Sequence, residues 1–180
     1  MPIISQRFHT IAIDLPGYGQ SPLLKERATI TAYADLLAEL IDRVTEEPVV
    51  LIGHSMGGMI GIALALRYPV LVERRVLICP TISGRLSGFI NAFISPITIL
   101  ERFGLGTLIV SAVESIFVGV TDRLMRPASF AERTDITEQD YKRLLADARR
   151  PGQGRTRTEC FLAMREHDLR GRLNEIETPG

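Results

Sequence analysis

The residues best suited to chemistry lie in Gly53-His54-Ser55-Met56-Gly57-Gly58. They follow Val49-Val50-Leu51-Ile52, an apolar and mostly β-branched run that fits a central parallel strand covered on both faces. In the pattern Gly-x-Ser-x-Gly, a strand turns sharply into a helix at the serine. The hydroxyl then stands at the carboxyl edge of the sheet, on a strained turn. Glycine is expected on both sides because a Cβ there would strike the neighbouring strand or helix. A helix starting near Met56 aims its first backbone N–H groups at the point where an oxyanion would form. Ser55 is therefore the candidate nucleophile, and the Met56 N–H is one candidate oxyanion donor. A phosphate-binding turn would need Gly-x-Gly-x-x-Gly or a Gly-Lys-Ser/Thr ending, and neither is present.

A serine hydroxyl needs a base to take its proton and a carboxylate to orient that base. The chain holds three histidines, His9, His54 and His167. His54 lies inside the turn, with its side chain expected to point away from the hydroxyl. His9 precedes an expected strand, which puts it at the opposite edge of the sheet, roughly 15 Å from Ser55 at about 3.3 Å per residue. His167 is expected at that same far edge. None is placed as the base.

The elements that must position Ser55 can be read around it. Thr10-Ile11-Ala12-Ile13-Asp14 reads as a short parallel strand, broken by Pro16-Gly17 and Tyr18-Gly19. Residues 29–44 repeat apolar side chains at three- and four-residue intervals (Ile30, Tyr33, Leu37, Leu40, Ile41, Val44), which predicts a helix with one apolar stripe. A second helix follows Ser55 and ends before Pro69. Arg74-Arg75-Val76-Leu77-Ile78-Cys79-Pro80 is a further strand. Alternation of strand and helix implies a parallel sheet with right-handed crossovers. From Thr81 the character changes. Residues 84–120 are apolar and interrupted by Pro96, Gly104 and Gly106, and residues 123–157 are polar and charged. A helix is expected at 138–149, capped by Thr137, and another at 156–165.

Two motifs carry a family resemblance: the Gly53–Gly58 turn, and Asp14-Leu15-Pro16-Gly17-Tyr18-Gly19-Gln20-Ser21 upstream, with one helix between them. Together they make the chain resemble the α/β-hydrolase superfamily, in its esterase, lipase and C–C hydrolase branch. The resemblance is specific over roughly the first eighty residues and general beyond them. It implies an α/β fold, a partial α/β-hydrolase sheet of parallel strands with flanking helices, plus a helical lid. Residues 1–81 would be the central part of the core, 82–165 the lid, and 166–180 the start of the return to the core. Asp14 would brace its own loop through backbone hydrogen bonds rather than act as a catalytic acid.

The resemblance also implies what this stretch of sequence lacks. In the family the acid follows the seventh strand and the histidine the eighth, and both would fall past Gly180. The loop giving a second oxyanion donor would fall before Met1. The chain is expected to be a fragment lacking both ends of the domain. An acid after the sixth strand, used by a minority of the family, has no counterpart in Pro80-Thr81-Ile82-Ser83. The family's third strand, which separates the fourth from the fifth, would also be missing. Residues 10–14 and 49–52 would then have to pair directly or leave backbone groups unpaired.

The implied function is a serine hydrolase acting on an ester, amide or C–C bond of a small to medium lipophilic substrate. The chain by itself is expected to show little or no turnover. The alternative is a non-catalytic α/β-hydrolase-like protein that binds a ligand or a partner. No cofactor and no metal site are expected.

Composition bounds the remaining classes. The chain has 180 residues, with 46% hydrophobic and 23% charged, as in a soluble globular domain with a real core. Its 21 basic and 21 acidic residues balance, so nothing points to nucleic acid. Cys79 and Cys160 have no metal or redox spacing and read as buried free thiols in a reducing, cytoplasmic setting. The first residues lack the charged start and apolar core of a signal peptide. The apolar run 103–120 is short and carries Glu114, which favours a lid helix over a membrane span.

Overall fold

The structure, a computed structural model, describes residues 3–84, 137–148, 150 and 153–179. Helix α1 runs Ile30–Val44 and begins where Thr29 takes an extended backbone and its side chain accepts the Ala32 N–H at 3.0 Å. Its stripe of Ile30, Tyr33, Ala34, Ala38 and Ile41 is buried, while Leu36 and Val44 face outward. Strand β1 is Val49–His54 and helix α2 is Met56–Arg67. A short 3-10 turn at Pro69–Leu71 leads into strand β2, Val72–Ile78. Beyond it the described chain resumes with α3, Glu138–Ala148, and α4, Gln153–Glu166. A 3-10 stretch follows at Arg170–Glu175.

β1 and β2 pair in parallel, with Val50 opposite Arg74 and His54 opposite Ile78. The crossover between them is α2, the most apolar element described, buried from Gly58 through Ala65. It packs against α1 on one side and β1 on the other. At Gly61 the missing Cβ leaves the space that the Leu51 side chain fills. The core is therefore formed by α1 and α2 on one face of a two-stranded sheet, joined by Cys160, Ala163 and Met164 of α4 and by Leu169.

Two expectations about the sheet are corrected. Residues 10–14 form no strand: the chain there has no ladder pairing, and Ile11 and Ile13 are exposed. A strand exists only with a partner, and β1's one described partner is β2. Direct pairing of 10–14 with β1 does not occur. The sheet is also covered on one face alone among the described residues. Along β1, Val49, Leu51 and Gly53 turn inward, while Val50, Ile52 and His54 are exposed. Val76 and Ile78 of β2 continue that exposed apolar face.

The part of the chain read as a lid is described only at its end. Its α3 starts as expected, with Thr137 Oγ1 accepting the Asp140 N–H at 3.1 Å. Its α4 is bound to the core at several points. Glu159 accepts the Ala28 N–H at 3.0 Å, Cys160 Sγ lies 3.4 Å from the Tyr33 hydroxyl, and Thr156 lies against Gly17. Residues 85–136 lie outside the described residues, and with them the run 103–120. Among the described residues no helix is long and apolar enough to cross a membrane.

Candidate active site

Ser55 joins β1 to α2 as the N-cap residue of the helix, with φ 51° and ψ −116°. A positive φ is rare for a residue with a Cβ and costs about 1–3 kcal/mol, so the surroundings must enforce it. They do so through glycines. A Cβ on Gly53 would stand 2.6 Å from the Gly57 carbonyl oxygen and 2.8 Å from the Gly58 nitrogen. A Cβ on Gly58 would stand 2.7 Å from the Pro80 Cβ. Gly57 differs from expectation: a Cβ there meets nothing within 4 Å. Its contribution is the backbone surface that Gly53 approaches, and the steric requirement falls on Gly53 and Gly58.

Met56 is the first residue of α2, so its N–H belongs to the helix's opening turn, which has no carbonyl partner inside the helix. The aligned N–H groups and dipole of that turn favour negative charge beside Ser55. The two residues singled out from sequence thus sit together, half-buried, at the carboxyl end of β1.

None of the histidines is hydrogen-bonded to them among the described residues. His54 ends β1 on the exposed face, and His9 is exposed in the irregular stretch before residue 10. His167 departs from the expected far edge. The Leu169 N–H donates to the Ile82 carbonyl at 2.9 Å, and a Cβ on Gly84 would run into the Arg165 backbone. The chain around His167 is therefore fastened just past the carboxyl end of β2. Its Nε2 is buried without a hydrogen-bond partner among the described residues, and burial, reinforced by Arg172, holds the imidazole below its usual pKa. No hydrogen bond joins any of the three to Ser55 among the described residues.

Asp14 does what a brace does. Its Oδ2 accepts the Gln20 N–H at 2.9 Å, and its carbonyl accepts the Ser21 hydroxyl at 2.6 Å. Gly17 (φ 88°) and Gly19 (φ 47°) supply the left-handed turns, and a Cβ on Gly19 would overlap the Asp14 carboxylate. Beneath this loop the Tyr33 hydroxyl donates to the Pro16 carbonyl at 3.1 Å. Burial, together with the neighbouring Cys160, raises the Tyr33 and Tyr18 hydroxyls well above the usual tyrosine range, and burial also raises the Cys160 thiol. All three are neutral at physiological pH. Cys160 is thus buried as expected, whereas Cys79 is exposed. A cavity of about 310 Å³ lies between the loop and α1, lined by Ile13, Leu15, Pro16, Leu36 and Leu40 among others; Ser55 does not line it.

Sequence reading passed over the turn after β2. There Cys79 has φ 44°, the one described residue besides Ser55 with a side chain and a positive φ. No signal in the sequence marked it, since a residue before proline favours an extended backbone at negative φ.

Comparison with known proteins defines the family of the chain. Residues 4–174 match the alpha/beta hydrolase family, and the chain belongs to it. It is 28% identical to a putative carbamate hydrolase, RutD, of Agrobacterium fabrum, over 98% of this chain and 63% of that protein. It is 38% identical to an uncharacterized hydrolase, YugF, of Bacillus subtilis, over 44% of this chain and 29% of that protein. The epoxide hydrolase CorEH has the same fold: TM-score 0.70 at 22% identity, covering 91% of this chain and 59% of that one. The chain thus spans only part of the length of its relatives, from 22% to 63%.

Proposed function

We propose that this chain carries the nucleophile of a hydrolase, with Ser55 attacking the carbonyl carbon of an ester, an amide or an activated C–C bond. The backbone N–H of Met56 stabilises the oxyanion. The observation that carries the reading is the strained Ser55 backbone at the start of α2. A non-glycine residue at φ 51° is retained where the structure around it enforces that angle, and such residues cluster at active sites. Family membership supports hydrolysis as the reaction class. A lipophilic substrate of small to medium size, bound under a lid formed by residues 82–165, completes the proposal, as does a cytoplasmic setting.

The attack forms a bond from Ser55 Oγ to the carbonyl carbon, and the hydroxyl proton must leave to a base. No described histidine accepts it. The chain alone should therefore acylate slowly and turn over less. Residual oxyanion stabilisation and binding can still leave about 10³–10⁴-fold over water.

The test offers the purified chain a short-chain aryl ester and a fluorophosphonate probe. The expected result is slow, stoichiometric labelling at Ser55, abolished in Ser55→Ala, with turnover far below that of ordinary esterases. No labelling at all would favour the non-catalytic binding protein, and labelling that persists in Ser55→Ala would place the nucleophile on another residue. Rapid turnover lost in Ser55→Ala would bring His9, His54 or His167 back as the base.

A further inference from the structure

We propose that the turn Ile78-Cys79-Pro80-Thr81 is a backbone bracket that holds Ser55 in its strained conformation, and that Cys79 is its positioning residue. The bracket grips Ser55 from both sides of its own peptide. The Ser55 N–H donates to the Ile78 carbonyl at 3.0 Å, and the Ser55 carbonyl accepts the Thr81 N–H at 3.1 Å. The first closes the last ladder pair, His54 with Ile78, and the second lies beyond it.

Both partners belong to one short turn: a regular ladder would use the N–H of residue 80, which proline lacks, and Thr81 donates instead, one residue later. Cys79, with its φ of 44°, accommodates the extra residue. An unstrained extended residue there would carry β2 straight on and move the Thr81 N–H away from Ser55. Pro80 then fixes the depth of the turn. It lies against Gly58, where a Cβ would come within 2.7 Å of the Pro80 ring. The Met59 N–H reaches the same Ser55 carbonyl at 3.2 Å, so the bracket and the first turn of α2 share one acceptor. The two positive-φ residues with side chains are thereby coupled: Ser55 is strained at the end of β1, Cys79 at the end of β2, and two hydrogen bonds tie the segments together.

The Cys79 thiol has no part in this. The residue acts through its backbone, on the orientation of the Ser55 hydroxyl and the Met56 N–H. Its effect on reaction rests on Ser55 being the nucleophile; its effect on the backbone does not. Glycine tolerates the left-handed region, alanine resists it, and a β-branched residue resists it most.

The experiment compares Cys79→Gly, Cys79→Ala and Cys79→Val with the parent chain. Fluorophosphonate labelling is resolved into its maximal rate and the probe's affinity, and amide hydrogen exchange is followed at Ser55 and Thr81. The expected order of maximal rate is Gly, then Cys and Ala alike, since both carry a Cβ, then Val. Cys79→Val should fall about 10-fold or more, with probe affinity held within about 2-fold. Exchange at the Ser55 and Thr81 amides should speed up in the same order, with Cys79→Gly still protected. Should Cys79→Val fail to fold, Cys79→Ala against Cys79→Gly carries the comparison. Equal exchange in Cys79→Gly and Cys79→Ala, or loss of protection in both alike, would overturn the bracket. If the parent chain does not label at all, the nucleophile reading fails, and amide exchange still decides the bracket.

Discussion

At the scale of single residues, two glycine positions of the serine turn, Gly53 and Gly57, have opposite requirements. Gly53 faces the Gly57 carbonyl so closely that a methyl group cannot fit without moving backbone. Gly53→Ala should cost about 3 kcal/mol, the upper end of the usual overpacking range. Gly57 has open space and sits in the first turn of α2. Gly57→Ala should therefore stabilise by about 0.5–1 kcal/mol through helix propensity alone. Urea midpoints of the two variants check this, and equal effects would show that the turn is looser than described. Ser55→Gly belongs to the same scale. It relieves the positive φ and should raise stability by about 1 kcal/mol while removing all labelling.

At the scale of elements, α1 is set by its start. The Thr29 side chain satisfies one of the opening N–H groups, at Ala32, and the buried stripe begins one residue later at Ile30. Thr29→Ala should cost about 1 kcal/mol. Thermal unfolding followed by far-UV circular dichroism measures it, and Thr29→Asn should restore most of the loss. Helix α4 is set differently, by tertiary bonds. Beyond Cys160, the Glu159 carboxylate accepts both the Ala28 N–H and, at 2.7 Å, the Arg155 guanidinium. Glu159→Gln keeps the shape but weakens both bonds. Exchange protection at the Ala28 amide should fall in that variant, and unchanged protection would separate α4 from the loop it covers.

At the scale of the whole molecule, stability depends on pH through His167. Burial lowers its pKa in the folded chain below the unfolded value of about 6.5. The unfolded chain therefore binds the proton first. Stability from the neutral imidazole is present above the unfolded pKa and is lost as pH falls through the folded one. The melting temperature should drop on acidification below pH of about 6.5, and His167→Gln should flatten that limb. A His167→Gln curve with the same acid slope as the parent would assign the slope to other groups.

The serine turn, the braced loop and the two helices around that turn were legible in the sequence because each is a local device. Gly53 makes room for the Gly57 and Gly58 backbone beside Ser55, Asp14 binds its own loop, and apolar spacing marks most of the buried stripe of α1, Val44 excepted. These depend on residues close in the chain, so their pattern survives without the fold. Three features were decided only in three dimensions. Residues 10–14 have strand-forming side chains, yet a strand is a pairing between segments, and composition cannot supply the partner. The faces of β1 read as equally apolar, but packing against α2 buries Leu51 and leaves Val50 and Ile52 exposed. His167 was placed by counting along the chain, whereas the bond from Leu169 to Ile82 sets its position. The grip on Ser55 is of the same kind: a hydrogen bond to Thr81 joins residues twenty-six apart, and no local spacing encodes it.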